Sequence, residues 1–531
     1  MASTICNNAI PAPPLESVPQ SAQTTPTEKG SYGQILKSSA LVGGSQVLNI
    51  AIGIGRTKAM AMFLGPAGFG LAGLYNSIVD LTQNIAGMGV NSSGVRQIAE
   101  AVGSDDSERT RVTIAVLRRT SVVLGLLGSL LLLVFSRQVS KLTFGTDRHA
   151  VGVAVLSIAV FCKLVSGGQG ALIQGMRRIG DLAKMNVLGA LLGAVIGVSL
   201  VYFFRENGIV PYLVAIAGMS VVMSWWYSRK VEIKTYRVTF SQVGQEAAAL
   251  LKLGFAFMVS SMMTLGVAYA IRVILLREIG LQATGLYQSA WTFGGLYVGF
   301  ILQAMAADFY PRLTASIKDY ETSNRLVNEQ ARVGLLLAGP GVIATLTFAP
   351  AVIAVLYSAK FAASVPVLRW ICLGATLQVI SWPMGFIIVA KGKQNLFVFS
   401  EVAWAVVSLA LAWTCITFFG LAGAGIAFFG SYVFHALLTY AIVSRVSGFR
   451  WSKENMRTGL LFLSAIAVVF CGLYLLPFRV ATSIGVLATA STGVYSLRAL
   501  VKLVATDDIP RPLRRLLMAF RVAAPGSTTM N

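Results

Sequence analysis

The feature that most constrains this chain is the recurrence of apolar runs about twenty residues long, each enough to cross roughly 30 Å of hydrocarbon as a helix. Fourteen such runs can be marked, at 38–63, 68–99, 112–135, 149–174, 183–204, 209–228, 249–276, 283–307, 330–357, 364–390, 395–418, 422–444, 458–476 and 480–503. Composition agrees: 12% of residues are charged and mean hydropathy is +0.71, against about 25% charged in soluble domains. The expected fold class is an all-α polytopic membrane protein of about 14 transmembrane helices.

The first two runs meet at Leu64-Gly65-Pro66-Ala67-Gly68-Phe69-Gly70. Pro66 lacks an N–H and fixes φ, and the glycines permit a tight reversal, so this stretch reads as helix, short turn, helix. A weaker copy follows about 212 residues on, where Gly285-Leu286-Tyr287-Gln288-Ser289 repeats the ending Gly73-Leu74-Tyr75-Asn76-Ser77. Arg56 with Arg272, Lys37 with Lys252, and Phe203-Phe204 with Phe418-Phe419 keep nearly the same offset. Repeated matches at offsets of roughly 212 to 216 suggest duplication of a six-span unit. An even number of spans per unit orients both copies alike. The architecture expected is two parallel-repeat six-helix lobes around a central cavity, with two extra C-terminal helices.

Charge distribution gives the topology. The basic residues cluster in alternate loops, around Arg177, Arg229, Arg312, Lys391 and Arg445, and the opposite loops are short and nearly neutral. By the positive-inside rule both termini are cytoplasmic. The stretch 136–148, with Arg137, Lys141 and Arg148, breaks the pattern by placing cations outside. The net charge of +22 is then mainly topological, with a secondary attraction to anionic lipid headgroups, and nucleic acid is not an expected partner. Domains follow: 1–36, a disordered cytoplasmic tail rich in Pro, Ser, Thr and Gln; 37–228, the N-lobe; 229–248, a cytoplasmic linker; 249–445, the C-lobe; 446–504, the two extra spans; 505–531, a basic cytoplasmic tail.

Several chemistries are excluded. Four of the five cysteines fall in apolar runs and Cys6 in the tail, with no CxxC pair; the two histidines, His149 and His435, stand far apart; the only Gly-Lys, Gly392-Lys393, lacks the phosphate-loop pattern. No metal site, cofactor, catalytic residue or nucleotide hydrolysis is expected.

Polar residues at helical spacing inside the spans carry the functional reading. Gln46, Asn49 and Arg56 share a face of the first span, with Lys58 nearby; Asn76, Asp80, Gln83 and Asn91 share one in the second. Lys163 stands near the middle of the fourth span, Arg272 in the seventh, and Gln288 and Gln303 in the eighth. Small and amide residues also serve helix packing in membranes, and Arg56, Lys58 and Arg272 are near enough to span ends to snorkel. The sharper reading is a wet cleft between lobes, with Arg56, Lys58, Lys163 and Arg272 as substrate-binding cations and the amides as a polar lining. It suits a hydroxyl-rich anion, since amides pair with hydroxyls and Arg or Lys with phosphate. Asp80 and Glu401 are the candidates for ion coupling, the alternative for each being an ion pair with a neighbouring cation.

The Leu64 to Gly73 turn, Ser358-Ala359-Lys360-Phe361, and Val389-Ala390-Lys391 leading through Phe397 to Ser400-Glu401-Val402 resemble the Wzx-type O-antigen flippases of the multidrug/oligosaccharidyl-lipid/polysaccharide (MOP) exporter superfamily, over about 37–445. The resemblance implies a non-enzymatic flippase of the bacterial inner membrane that carries an undecaprenyl-diphosphate-linked oligosaccharide to the periplasmic leaflet by alternating access. A polysaccharide polymerase and other assembly proteins are the partners it implies. Spans thirteen and fourteen depart from the many members that stop at twelve, and lipid II flippases of the same superfamily have fourteen. Lipid II flippase and multidrug exporter are therefore the alternatives, and a membrane polysaccharide polymerase or ligase is disfavoured by the short outward loops.

Overall fold

The computed structural model describes residues 28–104, 107–231, 240–317 and 319–503; residues 1–27 of the expected tail, 232–239 of the expected linker and the residues from 504 on lie outside the described residues. The described chain is helical throughout. Its elements are α1 (Glu28–Gly87), α2 (Val90–Gly103), α3 (Ser107–Val134), α4 (Ser136–Phe144), α5 (Ala150–Gly175), α6 (Ile179–Phe204) and α7 (Ile209–Ser228), then α8 (Phe240–Glu278), α9 (Leu281–Ala315), α10 (Tyr320–Leu356), α11 (Val365–Ala390), α12 (Gln394–Ser447), α13 (Lys453–Leu475) and α14 (Phe478–Leu503). Helix is what the apolar runs require, because lipid offers no partner for a free backbone N–H or C=O.

Nine described helical stretches are long and apolar enough to cross a membrane. Three of these hold two crossings each: α1 breaks at Gly65 (φ 66°), α6 and α7 are separated by the short 3₁₀ turn Arg205–Gly208, and α12 breaks at Gly420 (φ 58°). With α8 and α9, fourteen crossings result, as the sequence leads one to expect. The Gly65 break lies where the turn was read: Gly65 takes the left-handed φ, and Pro66, which needs no N–H partner there, opens the next helix.

The duplication is written in the backbone. Positive φ recurs at Gly65 and Gly280, at Arg177 and Gly392, and at Arg205 and Gly420, each pair 215 residues apart. Packing repeats as well: the first half of α1 lies on α6 as α8 lies on α12. Each lobe has its own core, one built on Leu71, Tyr75, Leu156, Val160 and Tyr212, the other on Leu286, Tyr287, Leu346, Phe361 and Ile371. The last two helices extend the second lobe by packing on α10, where Gly339 receives the ring of Phe462 and Gly485 receives Thr347.

Three expectations need correction. Helix α1 already begins at Glu28, inside the stretch expected to be a disordered tail to residue 36; Tyr32, Ile35 and Leu36 supply an apolar turn that continues into the first span. Helix α8 begins at Phe240, inside the expected linker to residue 248, because Gln-Glu-Ala-Ala-Ala-Leu-Leu (245–251) is a run of strong helix formers. The segment 136–148 holds the short helix α4 rather than an open loop, and Arg137 and Lys141 share Asp147 at 3.0 and 3.5 Å. That pairing reduces the positive charge that breaks the loop pattern.

At the end of the bundle carrying the Gly65 turn, the lobes touch backbone to backbone. A methyl group on Gly70 would stand 2.6 Å from the Leu281 carbonyl oxygen, and one on Gly285 would collide with the Pro66 carbonyl. Phe69 enters the second lobe edge-on to Tyr357 and Phe361, with centroids 5.7 and 5.8 Å away. Helix α4 reaches across as well: the hydroxyls of Thr143 and Tyr269 are 2.6 Å apart, and Arg277 donates to the Leu142 carbonyl. Toward the opposite end, Gly89 abuts the Gly254 backbone, and Asn84 accepts from Ser261 (2.9 Å) while donating to the Met258 carbonyl (3.2 Å). The lobes thus meet at two levels.

Candidate functional site, a polar hollow between the lobes

At the second of these contacts lies a hollow of about 350 Å³, lined from the first lobe by Asp80, Gln83, Asn84, Gly89, Asn91 and Ser92 and from the second by Ser261 and Leu265. The second half of α1 puts Asn76, Asp80 and Asn84 on one stripe because they are four residues apart. Asn76 donates to one carboxylate oxygen of Asp80 at 2.7 Å and Lys163, from α5, donates to the other at 2.8 Å. Both members of the ion pair keep about a third of their surface open (27% for Lys163, 33% for Asp80). Asn91 closes the row by packing on Gly167 of α5, whose missing side chain makes the room.

Arg272 approaches from α8. It is only 6% exposed, and the cost of burying a guanidinium is offset by specific partners. Nε donates to Gln288 at 2.6 Å, Nη1 donates to the Ala268 carbonyl at 2.6 Å, and the rings of Tyr287 and Trp291 lie with centroids 6.0 Å from the guanidinium carbon. Gln288 is itself fixed by donating to Thr292 at 3.1 Å. Arg272 also feels the charge of Asp80 across the lobes.

The structure brings Asn76, Asp80, Gln83, Asn91, Lys163, Arg272 and Gln288 to this region. Arg56 is half-buried and within electrostatic reach of Tyr212 on α7, Lys58 and Gln46 are exposed, and the Oδ1 of half-buried Asn49 is enclosed without a hydrogen-bond partner. Among the described hydrogen bonds and ion pairs, none ties Arg56 or Lys58 to the Asp80 cluster. The Gln303 side chain lies outside the described residues. Glu401, on α12, is half-buried and acts on Tyr432 instead, in a separate polar group with Ser381 and His435, which are 3.4 Å apart.

Sequence reasoning passed over Asn84, although it continues the four-residue step from Asn76 and Asp80. It also missed Arg369, only 9% exposed in α11 with its guanidinium carbon 5.8 Å from the centroid of Tyr474 on α13; one cation near the start of a span has no periodic signal to mark it. No group of three or more His, Cys, Asp or Glu suited to a metal ion occurs among the described residues.

Comparison with known proteins places this geometry. The lipid III flippase of Escherichia coli (strain K12) is 23% identical over 412 residues, spanning 75% of this chain and 95% of the relative. The lipid II flippase MurJ, in an inward closed conformation, superposes with a TM-score of 0.67 at 14% identity, covering 87% of this chain and 99% of that one. An inward-facing multidrug resistance MATE family transporter of the MOP superfamily superposes at 0.61 and 16% identity, covering 75% and 98%. The shared fold is thus that of two-lobed membrane transporters. Residues 59–366 match the polysaccharide biosynthesis protein family, a span that includes the Gly65 turn, the Asp80 and Lys163 pair and the Arg272 site, and the chain belongs to that family.

Proposed function

We propose that this protein is a flippase that carries an undecaprenyl-diphosphate-linked oligosaccharide, such as an O-antigen or exopolysaccharide repeat unit, from the cytoplasmic to the periplasmic leaflet of a bacterial inner membrane. It is a transporter rather than an enzyme, and both termini are cytoplasmic. The observation that carries the reading is a polar hollow between two like-oriented lobes, lined by Asp80, Gln83, Asn84 and Asn91, with Lys163 paired to Asp80 and Arg272 held on α8 of the other lobe. A diphosphate offers two anionic groups to these cations, Arg being the residue best shaped to hold phosphate oxygens. Gln83, Asn84 and Asn91 supply donors and acceptors for sugar hydroxyls, and the polyprenyl tail stays in the bilayer beside the lobes.

The N-lobe (37–228) and C-lobe (249–445) move as two bodies, with the Gly70–Gly285 contact as the periplasmic closure and the Gly89–Gly254 contact as the cytoplasmic one. Asp80 is the carboxylate through which an ion can be coupled to this movement: a proton or cation that neutralises it frees Lys163 and Arg272 for the substrate. Glu401 is a second candidate for that role. Arg56 and Lys58 then attract the anion before it enters. A lipid II flippase is the second reading, favoured by α13 and α14 docked on α10 and by the likeness to MurJ over 87% of this chain.

The test is transport of fluorescently labelled lipid-linked oligosaccharide in inverted vesicles. Lys163→Ala and Arg272→Ala, each at normal membrane abundance, are expected to lose transport; undiminished transport in both would remove the cation hypothesis. Competition by lipid II decides between the two substrate classes.

A further inference from the structure

Helix α4 is anchored in the first lobe. Ser140 donates to the Thr146 carbonyl at 2.7 Å, Arg137 and Lys141 hold Asp147, and Phe144 lies on His149 with centroids 4.2 Å apart. The Nδ1 of His149 is 2.9 Å from the hydroxyl of Tyr75, whose ring belongs to the first-lobe core. A displacement of that lobe therefore carries α4 with it.

The same short helix is also held from the second lobe. Tyr269 of α8 packs its ring against the first-lobe core, and its hydroxyl meets that of Thr143, which is fully buried. Thr143 fixes the direction of this hydrogen bond. A threonine hydroxyl has one hydrogen, and Thr143 donates it to the Val139 carbonyl one turn back at 2.8 Å. Tyr269 is therefore the donor at 2.6 Å, and a chain of two hydroxyls runs from α8 into the α4 backbone. The second tie is Arg277, in the last turn of α8, which donates to the Leu142 carbonyl. Leu142 is in the last turn of α4, where carbonyls lack partners within the helix and form the negative end of its dipole. The second lobe thus supplies the cation that caps a helix of the first.

Parting of the lobes at this end breaks both ties and wets all four groups. Water then replaces the lost partners, so each bond biases the opening without forbidding it. The matching connection of the second lobe, the 3₁₀ turn Ala359–Ser364, meets the first lobe differently, through the rings of Phe361 and Phe69.

We propose that α4 is a strap across the periplasmic closure, and that Tyr269 and Arg277, by holding Thr143 and the Leu142 carbonyl, set how often the protein opens on that side. It rests on the two-body movement of the flippase reading above. It adds Thr143, Tyr269 and Arg277 to the residues of the transport cycle, at a distance from the set that lines the polar hollow.

The test uses the full chain in nanodiscs, in a background lacking the native cysteines, with spin labels attached through Glu206→Cys and Lys360→Cys. Both positions are exposed, one in each lobe, Glu206 beside the Gly65 break and Lys360 beside Phe361. Double electron–electron resonance is expected to show a main short distance and a minor long one in wild type. Tyr269→Phe, which keeps the ring, should raise the long-to-short ratio about fivefold, the equivalent of one hydrogen bond of about 1 kcal/mol. Thr143→Val should do the same and Thr143→Ser should match wild type. The double variant Tyr269→Phe with Thr143→Val should stay near fivefold, because only one bond is lost, whereas Arg277→Met added to Tyr269→Phe should raise the ratio further. An unchanged ratio in both Tyr269→Phe and Thr143→Val overturns the strap. So does a ratio about twenty-five-fold up in their double variant, since the hydroxyls then act separately, or a Thr143→Ser ratio as high as that of Thr143→Val, since packing and not the bond is then at work. Each of these leaves the flippase reading standing. A single distance in wild type and in every variant overturns the two-body movement itself.

Discussion

Gly70 and Gly285 stand 215 residues apart in the chain and lie against each other in the fold, each contacting the backbone that corresponds to its own in the other copy. Gly70 faces the carbonyl of Leu281 and Gly285 faces that of Pro66, and residues 66 and 281 are again 215 apart. The contact is self-complementary in the way of a two-fold dimer interface, here between halves of one polypeptide. It exists because neither residue carries a Cβ. Glycine at these positions serves close approach and not backbone strain, since neither has a positive φ.

A methyl group at either position should therefore hold this end of the bundle apart. In a background lacking the native cysteines, a cysteine placed at Thr284, which is fully buried, is expected to react slowly with a membrane-impermeant maleimide added from the periplasmic side. Adding Gly70→Ala or Gly285→Ala should raise its labelling rate by about tenfold or more, the effect of about 1.4 kcal/mol on a two-state opening equilibrium. Unchanged labelling in both variants would show that this contact is no gate.

The pair formed by Asp80 and Lys163 joins α1 to α5 at 2.8 Å but remains partly open to water. A double-mutant cycle with Asp80→Asn and Lys163→Gln should give a coupling of about 0.5–1 kcal/mol in thermal or denaturant unfolding, the range of accessible pairs. Binding should respond in the opposite sense. Asp80→Asn removes the only carboxylate lining this hollow among the described residues and should strengthen undecaprenyl diphosphate binding several-fold, most visibly at low salt, while Lys163→Gln weakens it. Weaker binding in Asp80→Asn would mean the carboxylate positions Lys163 rather than competing for it.

Arg272 uses its guanidinium in two directions, Nε toward Gln288 and Nη1 toward the Ala268 carbonyl, which a lysine ammonium on a flexible stem cannot reproduce. Arg272→Lys keeps the charge and should still lower lipid-diphosphate affinity by about tenfold, because Gln288 Oε1 loses its donor and phosphate loses its fork. Wild-type affinity in Arg272→Lys would reduce the residue to a point charge.

The sequence made the crossings legible because each apolar run is a physical requirement of one helix, and the Gly65-Pro66 break because those two residues allow few other conformations. Asn76 with Asp80 was readable from a four-residue step. The partner of Asp80 was not, since periodicity names the face of a helix and not the neighbour that face meets; Lys163 is 83 residues away and Asn84 meets Ser261 over 177. The short helix α4 was missed because nine residues leave too few turns for a period to show. The tie between Thr143 and Tyr269 is invisible in sequence for a similar reason, as two hydroxyls 126 residues apart acquire meaning only once α4 and α8 stand together.

The two C-terminal helices offer a way to separate stability from transport. Phe462 of α13 is fully buried with its ring over Gly339, and Gly485 of α14 receives the Thr347 side chain, so both helices are docked through α10, away from the Asp80 hollow. Phe462→Ala should cost about 3 kcal/mol or more as a large-to-small core change, and Gly485→Val should push α14 from α10. Both variants are expected to lower the melting temperature of detergent-solubilised protein while binding of undecaprenyl diphosphate at low temperature stays within about twofold of wild type, as sites without shared partners are nearly additive. A selective loss of lipid binding with an unchanged melting temperature would instead make α13 and α14 part of the substrate path.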